Sequence, residues 1–326
     1  DPRRLLNLVF VLGTLTTAVL SNDATVVLLT PVMLRACRSL ELPPLPYLFA
    51  CTFVADTASS LLPVSNPVNL LYADRLDISF ARHALVMTVP TLAAVVVNAL
   101  VFQWIFRHQL PIRFARTDAI PDRPPFITAD RLITTALLIV VLGYVVSAFV
   151  GIAPYWVTLL GGMTLGAIGV ACRRIRPIEL VRVQPPSLYA FVVGLALVVA
   201  GVDRVGFLES LGDVIVRSNA MHPLAGLLSI AFGTALGTNL VNNWTMALAI
   251  VRPLERIPTD DALVFGSMLG ADIGPNLSVV GSLATLIWLT EVRRGGLAVS
   301  GATYLRIGLL ATIPAMLAGT LVLYLV

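Results

Sequence analysis

Lysine is absent from all 326 residues, and charge of either sign is scarce, at 12% against about 25% in soluble domains. The net charge of +4 is carried by arginine alone. These arginines sit at the ends of apolar runs, not on one solvated face, which excludes a nucleic-acid surface and fits the positive-inside rule. Cysteine is limited to Cys37, Cys51 and Cys172. They are far apart and show neither metal-ligand spacing nor a disulfide framework. Cys37 is read into an arginine-rich loop, so ordinary buried or interfacial thiols are the expectation. The three histidines, His83, His108 and His222, are read into loops, which leaves no histidine relay. Period-2 alternation is missing, which excludes a membrane barrel.

Hydrophobic residues make up 57% of the chain, and mean hydropathy is +0.90. Runs 84–106, 132–152, 154–171, 187–202 and 303–326 are largely free of charge. Several approach the ~20 residues that cross a hydrocarbon core. Only helices satisfy their backbone groups there without closing a barrel. An all-α polytopic membrane protein is therefore expected. Arg107 to Arg131 holds five arginines, four prolines and three aspartates, the composition of a linker. With the cluster Arg173, Arg174, Arg176 and Arg182, it is expected on the cytoplasmic side.

A weak internal repeat divides the chain into a first repeat over 1–106, a linker over 107–131 and a second repeat over 132–326. One apolar run stops at Asn22-Asp23-Ala24-Thr25 and resumes; another stops at Asn242-Asn243-Trp244-Thr245 and resumes. The flanking arms look too short to span comfortably, so each is read as a re-entrant helical hairpin with a polar tip. A second interruption follows each tip. Asp56 precedes Ser65-Asn66-Pro67, and Asp272 precedes Gly281-Ser282 at the same spacing. Both stretches are rich in helix-breaking residues, and such breaks persist in a membrane only inside protein or along a cavity. Two hairpins and two discontinuous helices are the pattern of an inverted-repeat secondary transporter with its site near the midplane. Arg131 precedes Asn242 by 111 residues, whereas 21 residues precede Asn22. By symmetry the first repeat is expected to lack about 90 residues, or roughly three spans.

Asp23, Asp56 and Asp272 are the candidates for proton coupling, because a carboxylate at membrane depth costs several kcal/mol unless paired, solvated or protonated. The competing reading for each is a helix cap. Ser21, Asn22, Ser65, Asn66, Asn242, Asn243, Asn276 and Ser282 offer hydroxyls and amides for a neutral hydroxyl-bearing substrate or a dehydrated cation. Helix–helix glue is the alternative for the amides, and for Asn69 the two readings stand level. Gly274, with Pro275, would set the break so that backbone faces the cavity.

Asn22-Asp23-Ala24 with Leu28-Leu29-Thr30-Pro31 resembles the tip segment of arsenite efflux permeases of the ArsB type. So do Ala55-Asp56-Thr57-Ala58-Ser59 with Val64-Ser65-Asn66-Pro67-Val68-Asn69, and Asn242-Asn243. Gly274-Pro275-Asn276 running into Gly281-Ser282-Leu283-Ala284-Thr285-Leu286-Ile287-Trp288 is the most specific match, and the likeness extends from Leu5 to Val326. Many bacterial members carry a lysine where this chain has Asn276, so the site here is less basic. The resemblance implies the ion-transporter superfamily fold and export of trivalent arsenic or antimony, as As(OH)3 or Sb(OH)3, in exchange for protons. The expected location is the inner (cytoplasmic) membrane. Arsenite or antimonite, protons and membrane lipid are the expected partners. A cytosolic ATPase subunit and a second copy of the chain are candidates; no cofactor, metal site or nucleic acid is expected.

Other functions remain in play. A sodium/proton antiporter suits the aspartates equally well. Sodium-coupled dicarboxylate uptake suits them less, since Asp23 at a tip would repel an anion at low effective dielectric. An intramembrane aspartyl protease using Asp56 and Asp272 as a dyad would leave the repeat unexplained and lacks the glycine-rich partner signature.

Overall fold

Apolar runs 84–106, 132–152, 154–171 and 303–326 coincide with long helices in the computed structural model. The structure describes residues 2–110, 128–150, 154–182, 222–256 and 261–326, with scattered residues between 190 and 220. Most of the run 187–202 and the interior of the 107–131 linker lie outside the described residues. No strand occurs among the described residues.

The chain divides into two compact units, residues 1–117 with 196–326, and residues 118–195. In the smaller unit, α6 (Thr128–Val150) and α7 (Pro154–Ala171) pack as a pair. Gly161 faces Val140, Tyr144 Oη shares a 2.8 Å hydrogen bond with Thr158 Oγ1, and Arg174 pairs with Asp130 at 2.7 Å. A short helix, α8 (Pro177–Arg182), follows.

The larger unit repeats one order of elements. A helix pair, α1 (Pro2–Val19) and α2 (Asn22–Ser39), leads to an interrupted helix, α3 (Leu45–Thr57) and α4 (Pro67–Arg75), and then to the long α5 (Phe80–Ile105). The pair α9 (Pro223–Val241) and α10 (Asn243–Arg256) leads to α11 (Asp261–Ile273) and α12 (Leu283–Arg294), and then to α13 (Gly301–Leu325). Helices α5, α9 and α13 are long and apolar enough to cross a membrane.

The core falls into two clusters that exchange the halves of the interrupted helices. In one, Phe49 and Phe53 of α3 pack against Trp288 of α12 and Tyr304 of α13. In the other, Met268 and Leu269 of α11 lie with Val68 and Tyr72 of α4. Helices α5 and α13 pack along each other and contribute to both clusters.

Three expectations change. The arm α9 is long enough to cross, because it runs from Pro223 to Val241. The other arms stay near the short reading: α1 and α2 have 18 residues each, about 27 Å at 1.5 Å per residue, and α10 has 14. His83 lies in the first turn of α5, fully buried, whereas His222 stays outside the helices as expected and caps α9 by accepting from the Leu224 amide at 3.2 Å. Cys37 is a buried residue of α2, not of a loop.

Candidate functional site

Each interruption is built from residues that end one helix and start another. After α3, Ser59 donates its hydroxyl to the Asp56 carbonyl at 2.9 Å, and two 3-10 turns, Ala58–Ser60 and Pro63–Ser65, replace the regular helix. Pro67 then occupies the first turn of α4, where its missing N–H costs nothing, and Asn66 caps that helix by accepting from the Val68 amide at 3.1 Å. After α11, Gly274 and Pro275 open the 3-10 turn Gly274–Leu277, and Ser282 caps α12 by accepting from the Thr285 amide at 3.1 Å.

The two cap residues reach across to the opposite carboxylate. Ser282 Oγ donates to Asp56, at 3.2 Å from Oδ2, and Asn66 Nδ2 donates to Asp272 Oδ1 at 2.7 Å. Each cap lies ten residues beyond the aspartate of its own interruption. Three residues further on, Thr285 donates to Asp56 Oδ2 at 3.3 Å, while Asn69 donates to the Ser59 carbonyl at 2.8 Å and so braces the first interruption. The contacts are therefore reciprocal: each carboxylate closes the start of the other interrupted helix. Both aspartates are fully buried, and among the described residues neither is ion-paired. A buried charge held only by neutral donors is expensive, which makes the pair a functional-site candidate.

The reciprocity ends at the tips. Asn22 donates to Asp56 Oδ1 at 3.2 Å, and Ser21 caps α2 by accepting from the Ala24 amide. The second tip instead holds the second interruption: Asn242 Nδ2 donates to the Val280 carbonyl at 3.3 Å, and the Asn243 amide to the Gly281 carbonyl at 2.9 Å. Asn242 adopts a φ of 75°, a left-handed conformation that an L-residue occupies at a cost. Asp23, in the first turn of α2, is half-buried, and its backbone amide donates to Asn22 Oδ1 at 2.9 Å, so that Asn22 links it to Asp56.

The remaining candidates take structural positions around this centre. Asn276 donates to the Phe53 carbonyl and to Thr57 Oγ1, each at 3.2 Å, tying the second interruption to α3. Gly274 packs directly on Ala235 of α9, and its carbonyl accepts from Asn239 Nδ2 at 2.8 Å. Ser65 is buried, its hydroxyl without a partner in the protein. Several residues escaped the sequence reading. Asn98 donates to Thr57 Oγ1 at 2.7 Å, and His83 Nε2 donates to the Ser60 carbonyl at 2.9 Å. Asn98 could have been found as an amide within an uncharged apolar run; His83 could not, because it sits where charged residues mark a segment end.

A family model described as arsenical pump membrane protein matches residues 2–326. The chain belongs to the arsenical pump membrane protein family. The Arsenical pump membrane protein of Escherichia coli is 29% identical over 327 residues, covering 96% of this chain and 75% of that protein. A Putative arsenical pump membrane protein of Bacillus subtilis (strain 168) is 23% identical over 326 residues, covering 90% and 72%. A 46 kDa membrane protein of Mycobacterium leprae is 25% identical over 325 residues, covering 96% and 75%. The arsenical pump family accounts for the apolar helices as those of a membrane protein, and both reciprocal aspartates fall inside the matched region.

Proposed function

We propose that the chain is a secondary transporter of the inner membrane that exports trivalent arsenic and antimony, as their neutral hydroxides, in exchange for protons. The reading rests on family membership and on one observation, the reciprocal pair of buried carboxylates held by neutral donors at the two helix interruptions. Two repeats of opposite orientation, 1–106 and 132–326, would each supply a hairpin and a discontinuous helix, joined by the linker 107–131.

In this reading, hydroxyls of the substrate exchange hydrogen bonds with Ser21, Asn22, Ser65, Asn66, Asn242, Asn243, Asn276 and Ser282 and with backbone freed at Gly274. No bond to arsenic forms or breaks; the hydroxide leaves as it entered. Asp56, Asp272 and Asp23 are the acceptors for the exchanged proton. The substrate is neutral, so each returning proton moves one positive charge inward. A pH gradient, acid outside, would therefore drive export. Asp56 is the central acceptor, because a tip amide, a helix-cap hydroxyl and a second hydroxyl converge on it and moving any of these changes its environment.

The test is flux in proteoliposomes of the purified chain, comparing arsenite, antimonite, sodium and succinate with and without a pH gradient. Gradient-dependent movement of arsenite and antimonite, with none of succinate, is expected. Sodium–proton exchange with no metalloid movement would refute the substrate, and succinate uptake would refute both substrate and direction.

A further inference from the structure

Helices α5 and α13 frame a cavity of about 390 Å3 where α5 ends and α13 begins, and none of its lining residues belongs to either interruption. Helix α5 has 26 residues and α13 has 25, each more than the ~20 that cross a hydrocarbon core. The end of one and the start of the other therefore reach headgroup level. Two arginines line the cavity, Arg107 just beyond α5 and Arg306 in the second turn of α13. Among the described residues neither is paired with a carboxylate, and none that lines the cavity is acidic.

Arg107 is held in place. Its guanidinium lies over the Trp104 ring, 5.3 Å from the centroid, and its Nε donates to His108 Nε2 at 2.9 Å. Those contacts use the face of the guanidinium and one N–H, and leave the two terminal nitrogens as a fork suited to phosphate oxygens. An arginine kept only to orient the chain in the membrane would need neither contact. Thr303 adds a hydroxyl and Gln109 an amide to the same lining. Further into the span the lining turns apolar, with Trp104 on α5 and Ile307 and Leu310 on α13. Trp104 and Leu310 are exposed, and an exposed tryptophan at a helix end is the residue expected at a membrane interface.

We propose that this cavity binds the headgroup of an anionic phospholipid, with its phosphate between Arg107 and Arg306 and the tops of its acyl chains on Trp104 and Leu310. Basic pockets between membrane helices take such headgroups. Free phosphate shares the chemistry of the arginines but would leave the apolar part of the cavity unfilled. A zwitterionic lipid would bring its own ammonium toward two cations. A lipid seated here bridges α5 and α13, the two helices that contribute to both core clusters. The site goes beyond the transport reading and does not depend on which substrate is carried.

The test is native mass spectrometry of the purified full chain, titrated with dioleoyl-phosphatidylglycerol, dioleoyl-phosphatidylcholine or inorganic phosphate. The first phosphatidylglycerol should bind wild type more tightly than phosphatidylcholine does. R107Q and R306Q should each weaken that step about fivefold, and the double variant should lose the preference. Both arginines are exposed, so the variants should stay monodisperse by size exclusion. R294Q, at an exposed arginine outside the cavity, should bind as wild type does. Equal binding of the two lipids, or an equal loss in R294Q, overturns the site. Phosphate binding through the same arginines with no lipid preference would replace the lipid by a soluble anion and overturn the proposal as well.

Discussion

Asp56 accepts from Asn22, Ser282 and Thr285 and Asp272 from Asn66, and part of the difference is set by which groups each tip has left to give. Asn22 reaches Asp56, whereas the Asn242 amide is committed to the Val280 carbonyl. The cap residues have two tasks each, and removal should show both. S282A should lose a helix cap, about 1 kcal/mol, together with a donor to Asp56. N66A should cost more, about 1–3 kcal/mol beyond the cap, because Asp272 would keep no formed hydrogen bond. Thermal unfolding in detergent should rank N66A below S282A and both below wild type; equal stabilities would contradict the assignment. Asp56 and Asp272 were legible in the sequence because acids in apolar runs demand an explanation. Their partners were not. Ser282 is 226 residues from Asp56, and Asn66 is 206 from Asp272, and nothing local encodes such a crossing.

At the scale of elements, the interrupted helices were legible but their pairing was not. Proline, glycine and asparagine mark where each helix stops, and the structure places 3-10 turns there. That α3 would pack with α12, and α11 with α4, depends on burying two apolar halves in different clusters. The α9 arm was read as too short to cross, yet the helix runs from Pro223 to Val241 and is long enough. Helix α11 and the turn that follows it meet α9 along Gly266, Gly270 and Gly274, four residues apart. An added Cβ at Gly270 would fall on the Ala231 carbonyl, and one at Gly274 would lie 2.5 Å from the Ala235 Cα. Small residues at this spacing let membrane helices approach closely. G270A should destabilise by about 1–3 kcal/mol through overpacking, seen as a lower unfolding temperature and a reduced monodisperse yield. An unchanged unfolding temperature would mean that the α9–α11 contact is looser than described.

At the scale of the whole molecule, one unit carries both carboxylates, both tips and both interruptions. The arsenical pump resemblance was legible because four short motifs recur in order, and the family match over residues 2–326 agrees with it. Coupling was less legible, because an aspartate reads alike as cap, ligand or proton carrier until its partners are known. With those partners in view, Asp56 is the acid on which export should depend, and Asp23, joined to it through Asn22, should matter less. D23N should slow gradient-driven arsenite export and D56N should abolish it, while both stay folded. The most direct measurement is arsenite efflux from loaded proteoliposomes under an imposed pH gradient, wild type beside D56N. The account predicts strong acceleration by the gradient in wild type and none in D56N. Efflux indifferent to the gradient, or accelerated equally in D56N, would contradict it.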